Sequence, residues 1–518
     1  MLTGALCLRL YVVCTGKNKL VSSSNHGFTE DIQKIRGEIY DINGEPFTDT
    51  DYENIAVLKP TMKALSSLSN AVDEETVKSI GERMKNGSAV SLNIGKLQIE
   101  PNSDAIMMKK KTRYSPDLSA QHLIGYTDSD GRGVTGIEKS YDCVLYTGKN
   151  LQVRFSADIY GRIISGGRTE IINSNPKTGS VYLTLDKRIQ RITEDALDIG
   201  GIKQGGAVVT DVHTGAILAA ASRPRFDAEN LSHYLDDESA PLVNRVLNAY
   251  SVGSVFKAAV AAAALENGVD DFYYTCTGSC NVNGTVFGCN NHKAHGELNM
   301  QKALECSCNT YFINLAQKIG GKALLETAKK AGFGQEIGIA DGITAAAGTV
   351  PDSQSLEKPG NLANFSFGQG SFTATMLQMA QLFSAIANNG MYTEPYAVEK
   401  TVSADGTENR HRKKYPVVAM SERTADRLTE MLTSVVENGN AKKAKMKNGI
   451  AAAGKTATAQ TGMTGKLGGE IYNTWFCGFF PAEAPKYVII ILKQGGSSGA
   501  EDCAPIFKSI ADKISDLL

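Results

Sequence analysis

The alanine-rich run SVGSVFKAAVAAAALENG, residues 251–268, most constrains what this chain can fold into. Alanine is the strongest helix former, so the run predicts an apolar helix. Its first turn carries a hydroxyl, Ser254, and an amine, Lys257, three residues apart and therefore on one face. Alone, Ser254 is better explained as an N-cap and Lys257 as a surface charge than as a nucleophile and its base. The pattern S-x-x-K also recurs at Ser174 to Lys177, so this stretch by itself does not identify a nucleophile.

The size and charge of the chain limit its class. Its 518 residues predict two to four domains, and 42% hydrophobic with 21% charged residues argues against wholesale disorder. The formal net charge is -1 and no strong basic patch stands out, so nucleic acid is not an expected partner.

The N-terminal stretch LTGALCLRLYVV is apolar but is interrupted by Arg9 and is shorter than the roughly 20 residues that a bilayer span needs. Three interpretations compete: the end of a clipped membrane anchor, a poor signal-peptide core, or a buried first strand or helix. The signal peptide is the weakest of them, because there is no basic segment at the start and no clear small-residue cleavage site.

The sequence pattern changes near residue 176, from polar and turn-rich segments to regular strand-like and helix-like periodicity. Residues 30–175 are polar, rich in turns and strand-like in places, with Asn43-Gly44 predicting a tight turn. Beyond this point VYLTLD alternates like a strand, KRIQRITEDALDIG has helical period, and GGAVVTDVHTGAILAAAS predicts two strands around a turn. Helical stretches follow, and then the strand-like segments NTWFCGFFP and KYVIIILKQGG. This order predicts an α+β domain in which helices pack on one antiparallel sheet.

Cysteine and histidine crowd together in CTGSCNVNGTVFGCNNHKAHG, which contains Cys276, Cys280 and Cys289, followed by His292 and His295. Such short spacing is typical of zinc sites, but it fits no standard finger. A local disulfide in an exported loop and free thiols are the other two interpretations. The sequence leaves all three open.

Two later motifs bear on the role of Ser254. Ser307-Cys308-Asn309 opens another helical run, and Lys455-Thr456-Ala457 precedes two strand-like segments. The order S-x-x-K, S-x-N, K-T-small resembles the three-motif set of penicillin-binding proteins and serine β-lactamases. Second copies of two motifs lie in the wrong context: Ser279-Cys280-Asn281 has no helix after it, and Lys177-Thr178-Gly179 sits in a turn before Ser254.

The residue types suit acyl transfer. A serine hydroxyl is a weak nucleophile that needs a base within reach, and Lys257 is the candidate. Burial beside a second cation, Lys455, disfavours the ammonium form of Lys257 and makes a neutral amine plausible. Ser307 can relay a proton between a lysine and a leaving amine. Asn309 offers an amide that can orient Lys257 and hold a substrate peptide bond.

Further groups suit the negative charges of such a reaction. Lys455 and Thr456 offer a cation and a hydroxyl to a terminal carboxylate. The N-terminus of the alanine-rich helix adds a positive field that stabilises an alkoxide or oxyanion. One at a time, these residues have simpler explanations, with Ser307 and Asn309 as a helix cap, Lys455 as a strand-edge charge and Cys308 as a small buried filler. A cysteine nucleophile is not favoured, because no histidine pairing is suggested.

Nearly the whole chain resembles a class B penicillin-binding protein. RGEIYDINGEPF is similar to the family's R-G-x-I-x-D-R-N-G opening, and GVTGIEKSYD to its G-x-x-G-x-E segment. FSFGQGSFTATMLQMAQLFSAIANNG resembles the G-Q-G, T-P-L-Q and A-N-x-G run, while AAAGKTATAQTG and NTWFCGFFP resemble A-G-K-T-G-T-A-Q and W-F-x-G-F-x-P. The chain departs from the family pattern at Ile42, Val252, Ala374-Thr375-Met376 and Ala457. Ala457 replaces a glycine, and its methyl group could crowd a bound donor.

The resemblance implies an α+β fold with three regions. Residues 176–518 would form a serine β-lactamase-like transpeptidase domain, an antiparallel sheet flanked by helices. Residues 30–175 would form an elongated, β-rich, non-catalytic domain of the dimerisation or pedestal type. Residues 1–29 would be a truncated membrane anchor and linker, which places the protein at the cell membrane with its catalytic domain on the extracytoplasmic side.

The resemblance also implies a peptidoglycan D,D-transpeptidase in which Ser254 attacks the D-Ala-D-Ala bond of a stem peptide. An amine on a neighbouring strand then attacks the acyl-enzyme and makes the cross-link. The implied catalytic residues are Ser254, Lys257, Ser307, Asn309 and Lys455, the implied substrate-binding residues are Thr456, Ala457 and Thr458, and the N–H groups of Ser254 and Thr458 would form the oxyanion hole. No metal or organic cofactor is implied.

The implied partners are peptidoglycan stem peptides, β-lactams that acylate the same serine, and other cell-wall synthesis proteins such as a glycosyltransferase. Two alternatives stay open. One is the same fold acting as a D,D-carboxypeptidase or a β-lactam hydrolase, and the large N-terminal domain favours the transpeptidase over it. The other is a non-catalytic scaffold in division or sporulation, or a β-lactam sensor, against which the intact Ser/Lys/Ser/Asn/Lys set argues.

Overall fold

The computed structural model describes residues 27–68, 72–95, 104–114, 117, 119–158, 160, 162–164, 166–289, 292–411, 414–465 and 468–517. The stretch interpreted as an anchor, LTGALCLRLYVV, lies outside these residues. Within the described ranges, no helix combines the length and the apolar character that a bilayer span requires.

The strands and helices are numbered in chain order. Up to residue 177 they are β1 (Gly27–Arg36), β2 (Glu38–Tyr40), β3 (Thr48–Leu58), α1 (Met62–Ser66), α2 (Glu74–Met84), β4 (Val90–Asn93), β5 (Ala105–Tyr114), α3 (Gln121–Ile124), α4 (Gly136–Ser140), α5 (Asp142–Leu145), β6 (Tyr146–Ser156) and β7 (Thr169–Ile172). From there to Cys308 they are β8 (Ser180–Leu183), α6 (Lys187–Ile199), β9 (Gly205–Asp211), β10 (Ile217–Arg223), β11 (Ala249–Ser251), α7 (Lys257–Glu266), β12 (Tyr274–Cys276), β13 (Ser279–Val282), β14 (Thr285–Gly288), β15 (Gly296–Leu298) and α8 (Met300–Glu305). The remainder are α9 (Asn309–Ile319), α10 (Gly321–Lys330), β16 (Ile337–Ala340), β17 (Ile343–Ala345), α11 (Pro359–Ser366), β18 (Thr373–Thr375), α12 (Met376–Ala387), β19 (Met391–Tyr392), β20 (Val398–Val402), β21 (Glu408–Arg410), β22 (Val417–Val418), α13 (Glu422–Glu437), β23 (Ala453–Thr464), β24 (Glu470–Phe480), β25 (Tyr487–Gln494), α14 (Gly499–Asp502) and α15 (Ala504–Ser515).

Two compact units form, and they interleave along the chain. Among the described residues, the first takes in Gly27–Arg36, Asp49–Arg113 and Thr147–Lys177; the second takes in Gly37–Thr48, Tyr114–Tyr146 and 178–517. The stretch 30–175 therefore contributes backbone to both units. The predicted assignment of 30–175 to a dimerisation or pedestal-like domain stays a prediction.

The first unit contains two three-stranded sheets, in the orders β1-β6-β7 and β4-β3-β5. Strand β3 is buried on both faces at its end, because successive side chains of a strand point to opposite sides. Ile55 and Val57 pack with Phe155 of β6, whereas Ala56 and Leu58 pack toward α1 and α2. One strand thus joins two small hydrophobic cores within this unit.

The second unit is built on a five-stranded sheet in the order β10-β9-β25-β24-β23, antiparallel throughout. Helices α6 and α15 contact each other and the sheet, as do α12 and α13, so both faces are covered. This cover explains the almost continuous apolar run of β25, whose residues Val488–Leu492 are fully buried. The α+β prediction with one antiparallel sheet is confirmed, and β23 lies at the edge of that sheet.

The alanine-rich run forms α7, whose residues Lys257–Ala264 are all buried. A helix that is apolar all round must be enclosed, and α7 contacts α9, α10 and α13. The predicted helix start is wrong by one turn, however. Gly253–Phe256 forms a 3-10 turn that begins at a left-handed glycine, and the α-helix starts only at Lys257. Ser254 therefore lies in the tight turn that leads into α7.

Segments from the first 150 residues complete the second unit. Strand β2 pairs in parallel with β8, in a second sheet of order β2-β8-β20-β21. Apolar residues of β2 and of helices α3–α5 share one core with β8; they are Ile39, Leu123, Ile137, Leu145, Val181 and Leu183. This core is continuous with the one that surrounds α7.

Candidate active site

The turn that carries Ser254 is held by contact between two glycine backbones. Gly253 has φ +65 and donates its N–H to the carbonyl of Gly368 over 2.8 Å. Gly368 has φ +73, and a Cβ at this position would lie 2.2 Å from the Gly253 oxygen. Only glycine allows both the backbone conformation and this approach. The loop after α11 thus fixes the position of Ser254, which is partly buried.

Lys257 is fully buried at the first position of α7. Its Nζ donates to the carbonyl oxygen of Ser307 (2.7 Å), to Ser307 Oγ (3.2 Å) and to Asn309 Oδ1 (2.7 Å). Among the described residues, Ser254 is not one of its acceptors. Lys257, the predicted base for Ser254, therefore makes its side-chain hydrogen bonds to the second motif.

Lys455 approaches Ser307 from the other side. It is fully buried on β23 and donates to Ser307 Oγ and to the carbonyl of Thr456, each over 3.0 Å. The hydroxyl of Ser307 therefore lies between two buried amines. This bridge connects the first and third motifs through the second.

Burial shapes the charge of both amines. It lowers the pKa of Lys257 to about 8, against the opposing influence of nearby cysteine thiols. Burial also lowers the pKa of Lys455 well below its usual range, and the charge of Lys257 adds to the effect. The sequence predicted that burial and a neighbouring cation together would disfavour the ammonium form of Lys257. In the structure, burial is the main cause of the lowered pKa of both lysines, because a low-dielectric site disfavours ammonium ions.

The second motif lies in the loop between α8 and α9. Ser307 adopts a left-handed conformation with φ +54, which L-residues seldom adopt. Cys308 is the N-cap of α9, since its Sγ accepts the N–H of Tyr311 over 3.4 Å. Asn309 then starts the helix and donates its side-chain amide to the carbonyl of Gly288 over 3.3 Å. The capping role considered for Ser307 and Asn309 thus falls to Cys308.

These groups surround one cleft of about 840 Å³. Six of the predicted site residues line it, and they are Ser254, Ser307, Asn309, Thr456, Ala457 and Thr458. Lys257 and Lys455 lie buried beneath its surface. The structure therefore brings together all eight residues selected from the sequence, whereas the second copies Ser279–Asn281 and Lys177–Gly179 lie in β13 and before β8.

One wall of the cleft is the edge strand β23. Ala457 stands where the family pattern has glycine. It is 3% exposed and pairs with Trp475 of β24. Gly499 packs closely against the backbone of Ala457, since a Cβ added at Gly499 would lie 2.5 Å from the Ala457 carbonyl oxygen. An edge strand presents backbone N–H and C=O groups that an extended peptide can pair with.

Several residues of the cleft were not found from the sequence. The Thr456 hydroxyl donates to Asn440 Oδ1 over 3.3 Å, and Asn440 lies in the loop after α13. Phe287 and Gly288 of β14 also line the cleft. No spacing rule connects these positions to the three motifs. Of the residues around the cleft that lie outside the three motifs, only the G-Q-G sequence was visible as a family motif. It contains Gly368, which contacts Gly253, and Gln369, which lines the cleft.

Comparison with known proteins gives concordant matches. The family described as penicillin binding protein transpeptidase domain matches residues 205–512. Penicillin-binding protein PbpB of Mycolicibacterium smegmatis is 30% identical over 77% of this chain, which spans 64% of the length of PbpB. Stage V sporulation protein D of Bacillus subtilis is 27% identical over 93% of this chain and 78% of that protein.

A solved structure resembles the fold over most of its length. It is the D,D-transpeptidase domain of a peptidoglycan glycosyltransferase from Eggerthella lenta, with a TM-score of 0.66 and 26% identity. The match covers 94% of this chain and all of that one.

Proposed function

The chain belongs to the penicillin-binding protein transpeptidase family, and from this we propose that it is a peptidoglycan D,D-transpeptidase that forms an acyl-enzyme at Ser254. One observation carries the proposal. Two buried lysines converge on Ser307 Oγ beneath a cleft that also exposes Ser254. A cleft with a hydroxyl nucleophile, neutralisable amines and a hydroxyl between them suits acyl transfer.

In the acylation step Ser254 Oγ attacks the carbonyl carbon of the penultimate D-alanine. The serine proton passes to the neutral amine of Lys257, and the N–H groups of Ser254 and Thr458 stabilise the oxyanion. We expect the hydrogen bond between Ser254 Oγ and Lys257 to form when substrate is bound, since such catalytic hydrogen bonds often tighten only then. The C–N bond then breaks, and the proton returns through Ser307 to the amine of the leaving D-alanine.

The donor peptide is held by the third motif. Its backbone pairs with the edge of β23, as a peptide adds to an exposed sheet edge. Its terminal carboxylate lies against the hydroxyls of Thr456 and Thr458, which line the cleft, above the amine of Lys455. A bound carboxylate restores the charge of Lys455, because an opposite charge raises the pKa of an amine.

An amine of a second stem peptide completes the reaction by attacking the acyl carbon of Ser254. Its proton takes the reverse route, through Ser307 to the lysines, and Ser254 Oγ leaves as the hydroxyl. The family match supports this cross-linking role over hydrolysis. We place the protein at the membrane with the cleft on the extracytoplasmic side, where peptidoglycan lies, and with a glycosyltransferase among its partners.

Fluorescent penicillin tests the proposal directly. The wild-type chain is expected to form a stable adduct that peptide mass mapping assigns to Ser254, and Ser254→Ala is expected to abolish it. Ser279→Ala removes the serine of the second S-C-N copy and is expected to label as wild type. A folded wild-type chain that neither labels nor releases D-alanine from a D-Ala-D-Ala peptide would overturn the proposal.

Penicillin acylation is also expected to accelerate with pH, with a midpoint near pH 8. Burial lowers the pKa of Lys257 to about 8, and only the neutral amine accepts the serine proton. Below the midpoint the rate therefore falls about tenfold per pH unit. Because Lys455 shares Ser307 with Lys257, the midpoint belongs to the coupled pair. A flat rate profile from about pH 6 to about pH 10 would exclude Lys257 as the base.

A further inference from the structure

Four side chains of the second unit converge beside the second motif. They are Cys276, Cys289, His295 and Cys308, and their ligand atoms all lie within 4.8 Å of one another. The three cysteines are buried, and His295 is partly exposed. The sequence had grouped three of these residues with Cys280 and His292; the structure leaves those two out of the group and adds Cys308.

The distances match a tetrahedral metal site. Cys276 Sγ lies 3.4 Å and Cys289 Sγ 3.5 Å from His295 Nδ1, and Cys289 Sγ lies 3.7 Å from Cys308 Sγ. Zinc bonds of about 2.3 Å to sulfur and about 2.0–2.1 Å to nitrogen put tetrahedral ligands about 3.8 Å apart for two sulfurs and about 3.6 Å apart for sulfur and nitrogen. All pairs of ligand atoms lie within 4.8 Å, so an ion at the centre would have to draw the more distant ones together by up to about 1 Å.

Separate pieces of backbone supply the four residues of this cluster. Cys276 ends β12 and pairs with Gly296 of β15, so His295 lies beside it and donates its N–H to the Cys276 carbonyl over 3.2 Å. Cys289 follows β14, and its N–H donates to the Gly278 carbonyl over 2.8 Å. Cys308 comes from the start of α9. Convergence from three places in the chain argues against chance crowding within one loop.

Cys308 Sγ has two polar neighbours on its own helix, α9. The Tyr311 N–H points at its sulfur, and the Thr310 hydroxyl lies 3.3 Å from it. A disulfide would use two of the three thiols and leave the third beside His295. A metal ion uses all four groups.

We propose that Cys276, Cys289, His295 and Cys308 bind one structural zinc ion. Three sulfurs and one imidazole nitrogen close a tetrahedral shell and leave no position for substrate. The ion would fasten the β13–β14 hairpin, which supplies Phe287 and Gly288 to the cleft, to the residue between Ser307 and Asn309. Zinc therefore positions one wall of the cleft and the loop that receives both lysines.

Metal analysis of the purified full chain tests the proposal. About one zinc per chain is expected by plasma mass spectrometry after dialysis. Cobalt(II) added to the chelator-treated chain is expected to give the thiolate charge-transfer band and the visible d–d absorption of tetrahedral coordination. Absence of zinc together with absence of this spectrum would overturn the proposal, as would a Cys289–Cys308 disulfide found by thiol counting and peptide mapping.

Matched variants locate the metal. Cys276→Ser and His295→Ala are expected to lose zinc, whereas Cys280→Ser and His292→Ala, from the same stretch, are expected to keep it. Cys308 is left intact because it also caps α9. Full zinc in both ligand variants would overturn the assignment. If Cys276→Ser fails to fold, the cobalt spectrum of His295→Ala decides, since loss of the nitrogen ligand shifts or abolishes the d–d bands.

Metal content and penicillin labelling are measured separately, so failure of the zinc proposal can be distinguished from failure of the acyl-transfer proposal. A chain that holds zinc in these residues but does not label at Ser254 retains the metal site and loses the acyl-transfer proposal. A chain that labels at Ser254 but holds no zinc retains the acyl-transfer proposal and loses the metal site. Chelation of the wild type is expected to lower its melting temperature, because zinc binding contributes free energy to the folded state.

Discussion

Lys257→Met is expected to slow penicillin acylation of Ser254 by about 10²- to 10⁴-fold, the usual contribution of a positioned base. Methionine has a volume similar to that of lysine and suits a buried position, but it cannot accept the serine proton. It also removes the hydrogen bonds to Ser307 and Asn309, which hold the second motif against α7. The rate constant of labelling by fluorescent penicillin measures the effect.

Two controls separate loss of the base from loss of structure. Lys318→Met makes the same substitution on α9, at an exposed lysine, and is expected to label at the wild-type rate. The pH profile supplies the second control, because the residual rate of Lys257→Met is expected to lose its midpoint near pH 8. A variant that labels at the wild-type rate would remove Lys257 from the mechanism.

Gly368→Ala is expected to slow acylation by about 10²-fold or more, although residue 368 lies outside the three motifs. Its Cβ would lie 2.2 Å from the Gly253 oxygen, in a left-handed backbone that costs L-residues about 1–2 kcal/mol. The 3-10 turn Gly253–Phe256 must then move, and Ser254 moves with it. A displacement of about 1 Å at a reacting group can cost about 10²-fold in rate.

Gly360→Ala is the matched control for this prediction. Gly360 lies on α11 of the same region, and a Cβ there would meet no atom within 4 Å. Alanine also favours the helix, so unchanged labelling and unchanged or higher stability are expected. Wild-type labelling by a folded Gly368→Ala chain would show that the Gly253–Gly368 contact does not position Ser254.

The sheet and its helices could be predicted because their signals are local. β9, β10 and α6 appear where alternation and helical period place them, and the buried run of β25 is visible in the sequence. The interleaving of the two units could not be predicted. It depends on the pairing of β2 with β8, between residues about 140 positions apart, and a parallel bridge of three residues leaves no periodic signal.

The candidate site shows the same division. The order and context of the motifs selected Ser254 and Ser307, which line the cleft, and Lys455, which lies buried beneath it. The hydrogen-bond partners of Lys257 could not be read from spacing, because they follow from the left-handed turn at Ser307. Of the proposed metal ligands, three could be found in the Cys/His loop, whereas Cys308 could not, since it lies at the start of a different element, α9.

The pairing of β2 with β8 bears on how the protein can be dissected. A fragment that begins at residue 176 would lack β2 and α3–α5, exposing Val181 and Leu183 and leaving one edge of β8 unpaired. Exposed apolar edges promote association with other chains. Expression of the second unit alone therefore requires a design that retains 37–48 and 114–146, with a short linker in place of each excised segment.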